Sequence, residues 1–161
     1  MTRNIKNWLG IEGVKIGVEL PSEIDFGQNS LKGVLVLSSL SHQKILSTKI
    51  QVKESYTRGS GGRRRTTDYF LGSWSNSQSV KLSPDDSYYR PFSLDLSWPE
   101  SQVDNWQKQN RLNNYLGKLA KRWQGVESRF LLEVNLEVSK TKLQPYLVTE
   151  LQVNLNPLSY S

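Results

Sequence analysis

Four arginines bracket a short glycine-rich run: Arg58 precedes Gly59-Ser60-Gly61-Gly62, and Arg63, Arg64 and Arg65 follow it. A guanidinium offers a planar fork of donors that can hold a phosphate or carboxylate through two parallel hydrogen bonds, and glycine lets the backbone approach such a group closely. The cluster therefore points to an anion or an acidic partner surface. The competing reading is a solvated loop, because ordering several glycines carries a large entropy cost. The spacing is not that of a phosphate-binding loop for nucleotides.

Lys118, Lys121 and Arg122 form a second basic group, on a segment with helical periodicity. Ser101 followed by Asp104 resembles a capping box, and Gly125 is the residue type that ends helices, so an amphipathic helix is expected over 102–124. At about 100° per residue, Leu112, Leu116, Leu119 and Trp123 share a stripe about 60° wide, with Lys108, Arg111, Lys118, Lys121 and Arg122 on the roughly opposite flank. The leucine stripe is expected to cap the rest of the fold. The basic flank faces water, or contacts an anionic lipid surface or a partner protein.

Catalytic groups are scarce. The chain has no cysteine and one histidine, which removes disulfides, thiolate metal sites and thiol nucleophiles. His42 stands in the polar connection Leu40-Ser41-His42-Gln43, and Asp85 with Asp86 in a turn supplies too few oxygen ligands for a calcium ion. No enzyme activity, metal, cofactor or small-molecule substrate is expected.

The elements that must carry these groups are mainly strands. Val14, Ile16, Val18 and Leu20 alternate with Lys15, Gly17 and Glu19, the period of a strand with one buried face. Gly27-Gln28-Asn29-Ser30 is turn chemistry, and Gly33-Val34-Leu35-Val36-Leu37 is apolar enough for a central strand covered on both sides. Over 44–57, Leu46, Thr48, Ile50, Val52, Glu54 and Tyr56 share the inward face, with Glu54 the exception to its apolar character. That strand, the arginine segment and 66–74 form a hairpin with a long mobile tip over 58–65. Shorter strands follow at 78–82 and 88–98, separated by Pro84-Asp85-Asp86-Ser87. Val126, Ser128, Phe130, Leu132, Val134, Leu136 and Val138 mark the strongest strand, and 147–155 the last.

A chain of 161 residues fits a single domain, and no repeat of about 20 to 50 residues is visible. Apolar residues make up only 36%, yet five Trp, seven Tyr and four Phe supply enough area for a two-layer core. The opening residues lack an apolar stretch of export type, and no run approaches the roughly 20 residues of a membrane helix, so a cytoplasmic location is expected. A net charge of +6 favours encounter with anionic partners.

Taken in order, Gly10-Ile11-Glu12-Gly13-Val14-Lys15, Leu31-Lys32-Gly33-Val34-Leu35-Val36, Lys49-Ile50-Gln51-Val52, Tyr89-Arg90-Pro91-Phe92-Ser93-Leu94 and the block 134–153 with Leu143-Gln144-Pro145 resemble the first half of the bacterial sporulation-control (stage 0 regulator) proteins, relatives of the arrestins. The resemblance implies an all-β, arrestin-like antiparallel β-sandwich of immunoglobulin-like type, with the helix inserted before the penultimate strand. It also implies adaptor or regulatory binding in place of catalysis. Members typically carry two such halves, and this chain corresponds to one. The expected partner is a protein, reached through the basic tip, the helix face or an edge strand. Edge strands also offer a route to homo-oligomers, and the basic groups a route to anionic lipid or nucleic acid.

Overall fold

The computed structural model describes residues 5–11, 13–59, 61–98 and 127–154. The helix expected over 102–124, with Lys118, Lys121 and Arg122, lies outside the described residues. Apart from one 3-10 turn, every described helix or strand element is a strand: β1 (Ile5–Ile11), β2 (Val14–Leu20), β3 (Ile24–Asp25), β4 (Ser30–Ser39), β5 (Gln43–Arg58), β6 (Arg65–Asn76), β7 (Val80–Leu82), β8 (Ser87–Asp95), β9 (Glu127–Val138), β10 (Tyr146–Leu151) and β11 (Val153–Asn154). The chain is mainly β, and the strand pattern read from alternating side chains is met along most of its length.

One antiparallel sheet runs β1-β2-β4-β8, and a second runs β10-β9-β5-β6 with β7 also paired to β5. A small parallel ladder joins β11 to β3. The inward residues of both main sheets form one apolar cluster, with Ile16, Leu31 and Leu35 from the first sheet and Ile50, Leu132 and Val134 from the second. At about 1.5 to 3 kcal/mol for each large aliphatic side chain removed from water, this cluster is the main stabilising term.

β4 is central, between β2 and β8, and Val36 is buried on the face opposite Leu35 and Leu37. Over Leu35, Val36 and Leu37 the apolar run is thus buried on both faces. β9 alternates as expected, with Phe130, Leu132, Val134, Leu136 and Val138 all buried.

Two irregularities redirect the pattern. Between Ile45 and Ser47 the β5–β9 register slips by one residue, so Ile45 enters the core and Leu46 is only half-buried. The expectation that Leu46 heads the inward series is corrected by this bulge, which places two residues opposite one. The second slip lies between Val52 and Lys53 in the β5–β6 ladder, where Leu71 is the extra residue on β6. Leu71 is buried, and its carbonyl accepts a hydrogen bond from Ser97 N–H at 2.8 Å. Beside it, a Cβ on Gly72 would lie 2.1 Å from the Asp95 carbonyl oxygen. Only glycine permits this approach, which covers the middle of β6 with the end of β8.

β1 and the β3–β11 ladder were not expected from the sequence. β1 pairs β2 along its whole length, from Ile5 opposite Leu20 to Ile11 opposite Val14. Its alternation is broken by Asn7 and Gly10, so pairing with a strongly patterned neighbour decides its state.

Candidate functional site

Beyond the Leu71 bulge, β5 and β6 continue as a hairpin whose second strand is exposed at every residue from Arg65 to Phe70. The two strands stay in register from Lys53 opposite Phe70 to Arg58 opposite Arg65. Cross-strand contacts hold them. Thr57 Oγ1 and Thr66 Oγ1 are 2.8 Å apart, and the Tyr56 and Tyr69 rings meet edge to face at 6.5 Å. Lys53 Nζ lies 2.7 Å from Glu133 Oε1 and 3.0 Å from Asp68 Oδ2, linking β5 to strands on either side. Glu127 on β9 receives Arg129 Nε at 2.7 Å and Arg64 Nη2 at 2.5 Å.

These pairs shift the groups in them. The Glu133 carboxylate, then that of Asp68, raises the Lys53 ammonium above its ordinary value. Hydrogen bonds from Lys53 and then Ser55 hold the Asp68 carboxyl below the usual carboxylate range. Glu127 is lowered chiefly by the Arg129 hydrogen bond. Each shift favours the charged form of a hydrogen-bonded ion.

The tip itself turns through a 3-10 segment, Gly61–Arg63, closed by Arg64 N–H to the Gly61 carbonyl at 3.3 Å. Gly59 and Gly61 have φ of 94° and 59°, the left-handed region that glycine enters without penalty. Tyr56, Arg58, Gly59, Gly62, Arg63, Arg64 and Arg65 line an open cleft of about 740 Å³. Of the predicted anion contacts, the structure brings Arg58, Arg63, Arg64 and Arg65 together. Arg64 is committed to Glu127, whereas Arg58, Arg63 and Arg65 have no ion pair among the described residues. Arg58 and Arg65 occupy directly opposite rungs of the ladder. Like charges so placed repel, at a cost of up to about 1 kcal/mol, and an anion between them removes that cost.

No protein-family model and no curated protein sequence matches this chain. Among solved structures, its fold matches that of Spo0M, a sporulation control protein from Bacillus subtilis. The match has a TM-score of 0.60 at 12% identity, and covers 89% of this chain and 50% of Spo0M. The chain thus spans about half the length of the structure it resembles. At this identity the likeness to Spo0M shows the fold alone, and the site has to be argued from the residues of this chain.

Other candidate residues fall elsewhere. His42 lines a separate cleft of about 590 Å³ with Lys44, Lys81 and Lys140 among its walls. Asp85 and Asp86 sit in the turn before β8, where Asp86 N–H donates to the Ser83 carbonyl at 3.3 Å. Among the described residues no group of three or more His, Asp or Glu side chains is arranged to hold a metal ion. None of the described helices is long and apolar enough to cross a membrane.

Two features of the hairpin were only partly legible in the residue order. The Lys53–Asp68–Glu133 and Arg64–Glu127–Arg129 networks were signalled only by opposite charges on segments far apart in the chain, and which segments become neighbours is not written in the residue order. Glu54 was the polar exception on the inward face. It is almost fully buried at 2% exposure and accepts a hydrogen bond from Ser128 Oγ through Oε1, while Oε2 has no hydrogen-bond partner among the described residues.

Proposed function

We propose that this chain is a non-catalytic adaptor or regulatory domain that binds an acidic protein surface through the tip of the β5–β6 hairpin. One observation carries the reading. Arg58 and Arg65 face each other across the last rung, Arg63 stands beside them, and no described carboxylate neutralises the three. A hydrogen-bonded β ladder and its closing turn present them at the tip of the hairpin, so little order has to be imposed on the strands when a partner docks.

The wider architecture supports the same role. Two antiparallel sheets feeding one apolar cluster, and the fold likeness to a sporulation control protein, favour an arrestin-like β-sandwich used for regulatory binding. We place the domain in the cytoplasm, in keeping with its lack of cysteine.

The test is affinity capture from the native cell, comparing the wild type with an Arg58→Ala, Arg63→Ala, Arg65→Ala variant. Arg64 is left in place because it closes the hairpin onto β9. Loss of one defined protein by the variant is the expected result, with its melting temperature nearly unchanged. Identical protein lists for the two would rule the tip out.

The alternative is an electrostatic binder of anionic membrane or nucleic acid, favoured by the same arginines, without an ion pair among the described residues, and by the net charge of +6. It requires binding to duplex DNA or anionic vesicles that weakens steeply with salt. Absence of such binding at low salt would dismiss it.

A further inference from the structure

We propose that the outer edge of β6 over residues 65–70 accepts an extended acidic segment of a partner protein as an additional strand. This rests on the reading of the tip as a protein-binding site and says how the partner is held.

β6 ends its sheet, and among the described residues it pairs only with β5. Its two halves are treated differently. At Leu71 the backbone carbonyl is taken by Ser97 N–H, just past the end of β8, while at Gly72 the Asp95 carbonyl closes over the face of the strand. Over 65–70 every residue is exposed, including Tyr69 at 36% and Phe70 at 59%. The exposed half reads Arg65-Thr66-Thr67-Asp68-Tyr69-Phe70, all but Arg65 and Asp68 being β-formers, with no proline or glycine to interrupt a ladder. An edge of this kind is a ready template for main-chain pairing, and at ~3.3 Å per residue it spans about 20 Å.

Charge selects the occupant. Arg65 begins the edge, Arg58 and Arg63 stand at its tip end, and the acidic residue on it, Asp68, is already paired with Lys53. A second copy of this chain would bring another net charge of +6 and the same arginines to the interface, and like-charged edges resist pairing. An acidic strand gains where a copy loses. Arg65 and Tyr69 project to the same side of β6, four positions apart in the sequence. The favoured partner therefore places carboxylates against the tip and an apolar side chain against Tyr69 or Phe70.

The test uses the full chain and fluorescent, end-capped peptides of about ten residues, enough to pair the six residues of this edge and extend to the arginines at the tip. Each has a glutamate cluster at one end, then alternating Thr and Val, then one Phe. Binding at low salt is expected, falling at least about tenfold in the Arg58→Ala, Arg63→Ala, Arg65→Ala variant. N-methylation of alternate backbone nitrogens is the deciding arm. Methyl groups on the set facing β6 should abolish binding, while those on the other set should leave it intact, and amide exchange should slow within residues 65–70. Equal binding of both methylated sets would overturn strand addition while leaving an electrostatic contact at the tip, so the proposed function would survive it. No binding by any peptide would overturn this inference alone, since the cell-capture comparison stands apart from it. Equal binding of a lysine-ended peptide would overturn the acidic specificity. Displacement of the peptide by phosphatidylserine vesicles or RNA at lower concentration would overturn the choice of a protein partner.

Discussion

The two ends of the β5–β6 ladder are built from different interactions. On the body side of the Leu71 bulge, Ile50 and Val52 lie in the apolar cluster and β8 seals the edge of β6. On the tip side, hydroxyl, aromatic and ionic cross-strand pairs hold strands whose outer edge meets water. Apolar burial is insensitive to salt and pH, whereas exposed ion pairs are weak and screened. The body thus fixes the fold, and the hairpin carries chemistry that can change without unfolding it.

The largest effect should come from the body. Ile50→Ala removes a fully buried side chain from the second sheet and is expected to cost about 2 to 5 kcal/mol in denaturant unfolding. A cost under about 1 kcal/mol would mean that the core collapses around the gap. Gly72→Ala tests the seam between β6 and β8. Its Cβ would overlap backbone that cannot turn aside, so a loss of about 1 to 3 kcal/mol is expected.

Glu54 stands between the two regions, and the sign of its effect is the informative result. Glu54→Met with Ser128→Ala removes both members of a buried hydrogen-bonded pair together with a carboxyl oxygen that has no partner among the described residues. A gain of about 1 kcal/mol is expected. A loss of similar size would mean that the buried polar pair holds the strands together.

The smallest effect is the pH response of the hairpin. Asp68 and Glu127 have folded-state pKa values depressed below their ordinary 3.8 and 4.5. Their contribution is present above those values and is lost as the pH falls through the lower folded ones. Lys53 is raised above 10.5, so its contribution is complete below that value and fades as the pH rises through the higher folded one. Protection of the amides in residues 53–58 and 65–70, relative to the unfolded chain at the same pH, should therefore fall below about pH 4 while that of β2 and β4 is kept. Equal loss in both regions would show that the hairpin is not a separate unit. The Asp68→Asn variant should flatten part of the acid response.

Much of the fold could be read from residue types, because a period of two with one apolar face admits few alternatives to a half-buried strand. That holds for β2, β9 and most of β5. It fails at Leu46, where a bulge exchanges the faces, and at β1, whose pattern is too irregular to declare itself before β2 lies beside it. Of the site, the arginine cluster and its position on a hairpin were visible in the residue order. Which arginine is neutralised was not, because the carboxylate that binds Arg64 comes from Glu127, on a strand far along the chain.

By itself the sequence determined the strand-dominated class, the scarcity of catalytic groups and a basic hairpin tip, all of which depend on local composition and spacing. Tertiary structure decided that, among the described residues, the segment after β8 meets one half of the β6 edge and not the other, that one Glu54 oxygen has no partner, and that Arg58, Arg63 and Arg65 have no ion pair while Arg64 does. These depend on which distant strands become neighbours, a choice made by packing and backbone pairing across the whole chain.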